Sequence, residues 1–149
     1  MANLFLTTPA SIKQEIIAIY AQNAFMHLVG IQIEKLACGQ VELGLDVVAG
    51  KHTNLNDSIH GGVLATMADN ALGIVCATVG KRVVTVSMQL AFIKGIKPGE
   101  HATAKGTIIS NDGKTMVVQV GIYHGEQLLL DSMSTMMVIN DFSAIPPQW

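Results

Sequence analysis

Asp69 and Asn70 interrupt an otherwise small and apolar run, SIHGGVLATMADNALG, at residues 58–73. A carboxylate in such company is costly to strip of water, so it is expected to be paired, to face a pocket, or to be held neutral. At the helical spacings that would bring a partner alongside, its neighbours are Ala65, Thr66, Leu72 and Gly73, none of them a cation. The bland assignment, a backbone cap or a lysine from another element, competes here with a functional one, a nucleophile or general base. The functional reading draws on His60-Gly61-Gly62, which opens the same helix. Free N–H groups at a helix start, with the positive end of the helix dipole, form a donor site for a developing negative oxygen. Glycines there let a substrate come close to the backbone. Gly61 and Asp69 are nonetheless eight residues apart, about 12 Å on a helix rising roughly 1.5 Å per residue. Groups acting on one carbonyl must each lie within about 3 to 3.5 Å of it. One chain cannot supply both, so joint action requires a second copy across a two-fold axis and gives two equivalent sites per dimer.

The elements that must hold these residues follow from periodicity. Thr8-Pro9 is a helix-start signal, and Ile12, Ile16, Ile17, Ile19 and Tyr20 recur at helical spacing, predicting an amphipathic helix over 9–22. Ile31 and Ile33, then Val41, Leu43, Leu45 and Val47 beyond a Cys38-Gly39-Gln40 turn, alternate as two half-buried strands do. AGKHTNLNDS has loop composition. Residues 61–79 are apolar on nearly every face, predicting a long helix buried all round. Four strand-like runs follow, VVTVSMQLAF, HATAKGTIIS, TMVVQVGIYH and QLLLDSMSTMMVI, separated by Lys97-Pro98-Gly99, Asn111-Asp112-Gly113 and His124-Gly125 turns. The tail DFSAIPPQW is predicted to be irregular. Short turns impose antiparallel pairing, so the predicted class is α+β: one curved antiparallel sheet of about six strands around one central helix, plus an N-terminal helix, in a single domain over 1–149.

Composition narrows the function classes. Charged residues make up only 13% of the chain and hydrophobic ones 50%, too few charges to cover a lone monomer comfortably, which suggests an oligomer. A net charge of -2 gives no electrostatic reason to bind nucleic acid or anionic lipid. The N-terminal stretch carries Lys13 and Glu15 and no export-signal pattern, and Cys38 and Cys76 are isolated, so a cytoplasmic location with reduced thiols is expected. A membrane span over 61–79 is disfavoured by Asp69 near its centre, which costs about 2.5 to 3.5 kcal/mol on insertion scales. The five histidines, 27, 52, 60, 101 and 124, form no metal-binding cluster, and no phosphate loop is present.

The string HTNLNDSIHGGVLATMAD, the strand VVTVSMQLAF and the terminal hairpins resemble the hotdog-fold acyl-CoA thioesterases of the phenylacetic acid degradation (PaaI-like) type, over roughly Phe25 to Ile139. That resemblance implies a hotdog fold, in homodimers and often homotetramers, with acyl-CoA thioesters bound between subunits and no metal or cofactor beyond the coenzyme A of the substrate. It also implies roles. The Gly61 N–H would polarise the thioester carbonyl, with Gly62 beside the substrate, and Asp69 of the opposing chain would act as nucleophile or as the base that activates water. His60 would orient the thioester and Asn54 would hold the loop before the helix. Thr85 would position the attacking water, with Ser87 an alternative because a loop of variable length precedes both.

Two other classes share these parts. A hydratase or dehydratase of this fold carries an acid before the histidine in an Asp-x-x-x-x-His pattern, for which Asp57 stands too close to His60. A noncatalytic acyl-CoA-binding protein would keep the pocket without the acid, whereas Asp69 is present. Met67, Met88, Met116, Met133, Met136 and Met137 are read as core filling, and Lys81, Arg82, Lys94 and Lys97 as solvated surface at element ends.

Overall fold

The structure, a computed structural model, describes residues 5–149. The first helix, α1 (Pro9–Tyr20), starts where Thr8 accepts a hydrogen bond from the Ser11 N–H at 3.2 Å. It ends two residues before the predicted boundary. The chain then restarts as α2 (Ala24–Val29), capped by the Asn23 side chain on the Met26 N–H and closed by Gly30 at φ 91. Six residues are too few to show a helical period, so α2 escaped the sequence reading. Its only signals were an Asn at one end and a Gly at the other.

The strands are β1 (Gln32–Ala37), β2 (Gln40–Asp46), β3 (Lys81–Phe92), β4 (His101–Asn111), β5 (Thr115–His124) and β6 (Gln127–Asp141). They form one antiparallel sheet in the order β1-β2-β4-β5-β6-β3, with the central helix α3 (Gly61–Ala77) packed against β2 to β6. This is the hotdog arrangement. Leu64, Met67, Ala68, Ala71, Leu72 and Val75 of α3 meet Val41, Leu43, Ala104, Val118, Val120 and Met136 of the sheet, all buried. Each fully buried aliphatic side chain contributes about 1.5–3 kcal/mol, so this face fixes the helix on the sheet. At its far end the helix is tied by the tail: the Trp149 indole N–H donates to the Thr78 carbonyl at 2.6 Å and Ile145 is buried. After Asp141 the tail holds no helix or strand, as predicted.

One expectation fails. The helix ends at Ala77 rather than at residue 79, and it is not buried all round. Gly62 and Asp69 are exposed, and Ala65, Thr66, Asn70 and Gly73 are partly so. The open positions recur at helical spacing and hold the small and polar residues, while Leu64, Met67, Leu72 and Val75 take the packed side; counting alanine and glycine as apolar hid this division. Beside that face runs β3, a sheet edge with Val84, Val86 and Phe92 exposed. Among the described residues, no helix is long and apolar enough to cross a membrane.

The opposite end of the sheet is held by a charge cluster. The His101 ring on β4 meets Asp46 of β2 through Nδ1 and Glu34, on a bulge of β1, through Nε2, both at 2.7 Å. The hydrogen bond to Asp46, opposed by partial desolvation and reinforced by Glu34, raises the His101 pKa. A raised histidine pKa stabilises the fold fully below the unfolded value of about 6.5, and the benefit is lost as pH climbs through the folded value. The stability deficit of His101→Gln in urea unfolding is therefore expected to be larger at about pH 6 than at about pH 9. A deficit independent of pH would contradict the cluster's role.

Candidate active site

The tip of α3 is organised by His60. Its Nδ1 accepts from the Gly62 N–H at 2.8 Å, and its carbonyl accepts from the N–H groups of Val63 at 2.9 Å and Leu64 at 3.3 Å. With Nδ1 accepting, the ring proton of neutral His60 sits on Nε2. Of the first turn's donors only the Gly61 N–H is left without an acceptor among the described residues. A Cβ at Gly61 would come within 3.2 Å of the Phe92 ring, a tight contact from which that ring would have to shift. Gly62, by contrast, has spent its N–H on His60 and keeps only its exposed position at the helix tip.

The loop before the helix is shaped by Asn54. Its Oδ1 accepts from the N–H groups of Asn56 at 2.9 Å and Ser58 at 3.2 Å, while its own N–H donates to the Ser58 carbonyl. Asp57 takes a left-handed φ of 53 within this loop. His52, which the sequence did not single out, is buried beneath it. Its ring spans Val29 and Val48, and its carbonyl accepts from the His60 N–H at 2.7 Å. Buried histidines of this kind carry no motif; only the backbone partners identify it.

Asp69 stands on the open face of the helix, two turns from Gly61. Its Oδ1 accepts from the Thr85 hydroxyl at 2.7 Å, and among the described residues no lysine or arginine pairs with it. The lysine-pairing alternative is thereby removed. Asn70 turns to other work, donating to the Thr66 carbonyl at 2.8 Å and accepting from Asn23 at 3.4 Å.

Thr85 and Ser87 are separated by a bulge at Val86. Thr85 pairs with buried Met136 on the helix side, whereas Ser87 pairs with Thr135 on the outer face. In a regular strand the two would share a face; the extra residue sends them to opposite sides. Ser87, expected as an alternative to Thr85, is therefore not brought to the site.

A groove of about 520 Å³ runs from the helix tip along Asn54, Ser58, Gly61, Phe92, Lys94 and Lys97. Neither lysine ammonium pairs with a carboxylate among the described residues, although the Lys97 backbone N–H donates to Glu100 Oε2 at 2.7 Å. No group of three or more His, Cys, Asp or Glu among those residues is placed to hold a metal ion. The chain thus presents an unpaired amide and a carboxylate on one helix but not at one point.

Residues 56–130 match the sequence model of the thioesterase superfamily. No curated protein matches the chain. The PaaI protein of E. coli, from the phenylacetic acid degradation operon, superposes with a TM-score of 0.84 at 22% identity over 91% of this chain and 98% of its own, a likeness of fold. A hypothetical thioesterase from Streptococcus pneumoniae TIGR4, solved with coenzyme A, superposes at 0.77 with 26% identity over 84% of this chain and 98% of its own. The thioesterase of that strain has also been solved with an aspartate and, separately, a threonine sixteen positions later changed to alanine; both match at 27% identity and a TM-score of 0.71, over 75% of this chain and 93% and 92% of theirs. The protein smu.793 of Streptococcus mutans UA159, bound to acetyl-CoA, matches at 0.72 with 25% identity over 75% of this chain and 90% of its own.

The His60 cap is testable on its own. Replacing His60 by Ala removes the acceptor for the Gly62 N–H and is expected to lower unfolding stability by about 1 kcal/mol, the usual loss for a helix cap. Urea titration reads this directly, and an unchanged midpoint would show that the ring does not cap the helix.

Proposed function

Because this chain belongs to the thioesterase superfamily, we propose that it hydrolyses acyl-coenzyme A thioesters to the free acid and coenzyme A. The observation that carries this reading is the Thr85–Asp69 hydrogen bond at 2.7 Å across a spacing of sixteen residues. The same spacing separates the aspartate and threonine replaced in the streptococcal thioesterase.

The residues divide the work as follows. The Gly61 N–H, the one open donor at the helix tip, receives the thioester oxygen as it gains charge; one such donor is commonly worth about 10²- to 10³-fold in rate. Asp69 of a second copy draws a proton from the water that attacks the carbonyl carbon, or attacks that carbon itself to form a mixed anhydride that water hydrolyses once coenzyme A has left. Thr85 fixes that carboxylate by donating to one oxygen, leaving the other for the chemistry. The carbon–sulfur bond then breaks, and the thiolate of coenzyme A leaves and is protonated. His60 holds the helix tip in shape, and Asn54 the loop beside it.

A homodimer is part of the proposal. The open face of α3 and the adjoining edge strand, with Val86 60% and Phe92 56% exposed, form an apolar surface next to unpaired strand N–H and C=O groups. Such an edge is suited to pairing with a second copy. The groove at Gly61 offers the coenzyme A arm a path toward the cationic Lys94 and Lys97.

Two experiments test these assignments. Asp69→Asn is expected to keep the fold and lower turnover of an acyl-CoA panel, read as thiol release, by at least about 10²-fold. Thr85→Val should also slow turnover, while Ser87→Ala, on the outer face, should not. A folded Asp69→Asn protein with near wild-type turnover would refute the mechanism. Second, changing Lys94 and Lys97 together to Ala should raise KM for an acyl-CoA but not for the N-acetylcysteamine thioester of the same acyl group, which lacks phosphates. Equal effects on both would remove the lysines from phosphate recognition.

A further inference from the structure

A second recess lies beyond Asp69, reached from α3 through Tyr20. Four residues on, about 6 Å along the helix, Gly73 faces Tyr20 of α1, whose hydroxyl would lie 3.4 Å from a Cβ at that glycine. On its other side Tyr20 lines a cavity of about 420 Å³ together with Ile19, Gln22, Asn23, Arg82, Val83 and Phe142. Val83 stands two residues before Thr85 on the same strand, so this wall continues the one that holds Asp69.

The cavity combines apolar walls with hydrogen-bond donors that lack acceptors. No hydrogen bond joins the Tyr20 hydroxyl to another described residue, and since no fully buried side-chain N or O atom among those residues lacks a partner, this hydroxyl reaches solvent in the recess. Desolvation by burial pushes its pKa well above the usual phenol range, with Cys76 adding to the rise and Arg82 opposing it, so the group stays protonated and able to donate. Arg82 is the only arginine of the chain. It pairs with no carboxylate among the described residues, and its guanidinium lies 5.2 Å from the centre of the Phe142 ring. The Asn23 side chain is already committed, its oxygen to the Met26 N–H and its amide to Asn70. What remains for a ligand is the Gln22 amide, a planar cation and a phenolic donor, and the last two form a pattern that recognises a carboxylate.

In the proposed dimer coenzyme A follows the Gly61 groove of one chain, which leaves the acyl group to extend past Asp69 of the other toward this recess. Four or five carbon–carbon bonds of about 1.5 Å, staggered along an extended chain, span about 5–6 Å. Resting on the thioesterase reading, we propose that Arg82 and Tyr20 receive the distal carboxylate of the acyl group, so that the preferred substrates are thioesters of dicarboxylic acids of about five or six carbons.

The test compares glutaryl-CoA with pentanoyl-CoA, equal in length and different only in the terminal carboxylate. Wild-type protein is expected to show a kcat/KM at least about tenfold higher for glutaryl-CoA, the scale of a charged hydrogen bond. Arg82→Met should abolish that preference and leave pentanoyl-CoA within about twofold; Tyr20→Phe should reduce it in part. Equal turnover of the two thioesters by wild type, or an Arg82→Met loss shared by both, overturns the proposal. Titration with the non-hydrolysable thioethers S-(4-carboxybutyl)-CoA and S-pentyl-CoA separates binding from chemistry. Selective binding of the carboxylate analogue that Arg82→Met abolishes, with no thioester hydrolysed, would uphold the anion site and sink the hydrolase reading. Equal binding of the two analogues would sink the anion site.

Discussion

An α-helix advances about 1.5 Å per residue, and that rise governs everything proposed for this protein. Gly61 and Asp69 sit on one rigid helix, eight residues apart, so no side-chain motion brings them to a single atom. A donor and a carboxylate that cannot meet within a chain can meet between chains. The same helix carries both halves of such an arrangement, and a two-fold axis would use each half twice.

The surroundings agree with an incomplete site. His60 takes up the Gly62 N–H and its carbonyl takes those of Val63 and Leu64, which leaves Gly61 as the open donor. Asp69 has a hydroxyl to hold it and, among the described residues, no counter-ion. The face of α3 that carries Asp69 lies open beside an apolar sheet edge, although the rest of the helix is packed. Leaving such an edge to solvent invites association, so a chain with this surface gains from a partner. In the proposed dimer one contact would bury the apolar edge and complete the chemistry.

How much of this could be read from the sequence depended on range. The start of α1 was visible because Thr8 and Pro9 act within one turn, and the strands because alternation is local. The place of Asp69 in a long helix was visible as well. Features beyond α2 and the buried His52 were missed too. The bulge at Val86, which decides between Thr85 and Ser87, depends on register with β6 and has no residue signature. The open side of α3 was missed because its alanines and glycines count as apolar beside Leu64, Met67 and Leu72, although Thr66, Asp69 and Asn70 mark it. The recess near Gly73 draws on residues 20, 82 and 142, whose proximity only the fold creates. Local physics is legible in a sequence, whereas cavities made by distant segments are not.

The two-chain site admits one direct measurement. Asp69→Asn and Gly61→Val chains are each expected to be inactive, the second because its side chain meets the Phe92 ring. Co-expressed in equal amounts, they should form mixed dimers with one intact site, an unaltered Gly61 facing an unaltered Asp69, and recover about a quarter of wild-type thioester hydrolysis. A mixture no more active than its two parents would show that donor and carboxylate do not act across chains, and would contradict the account.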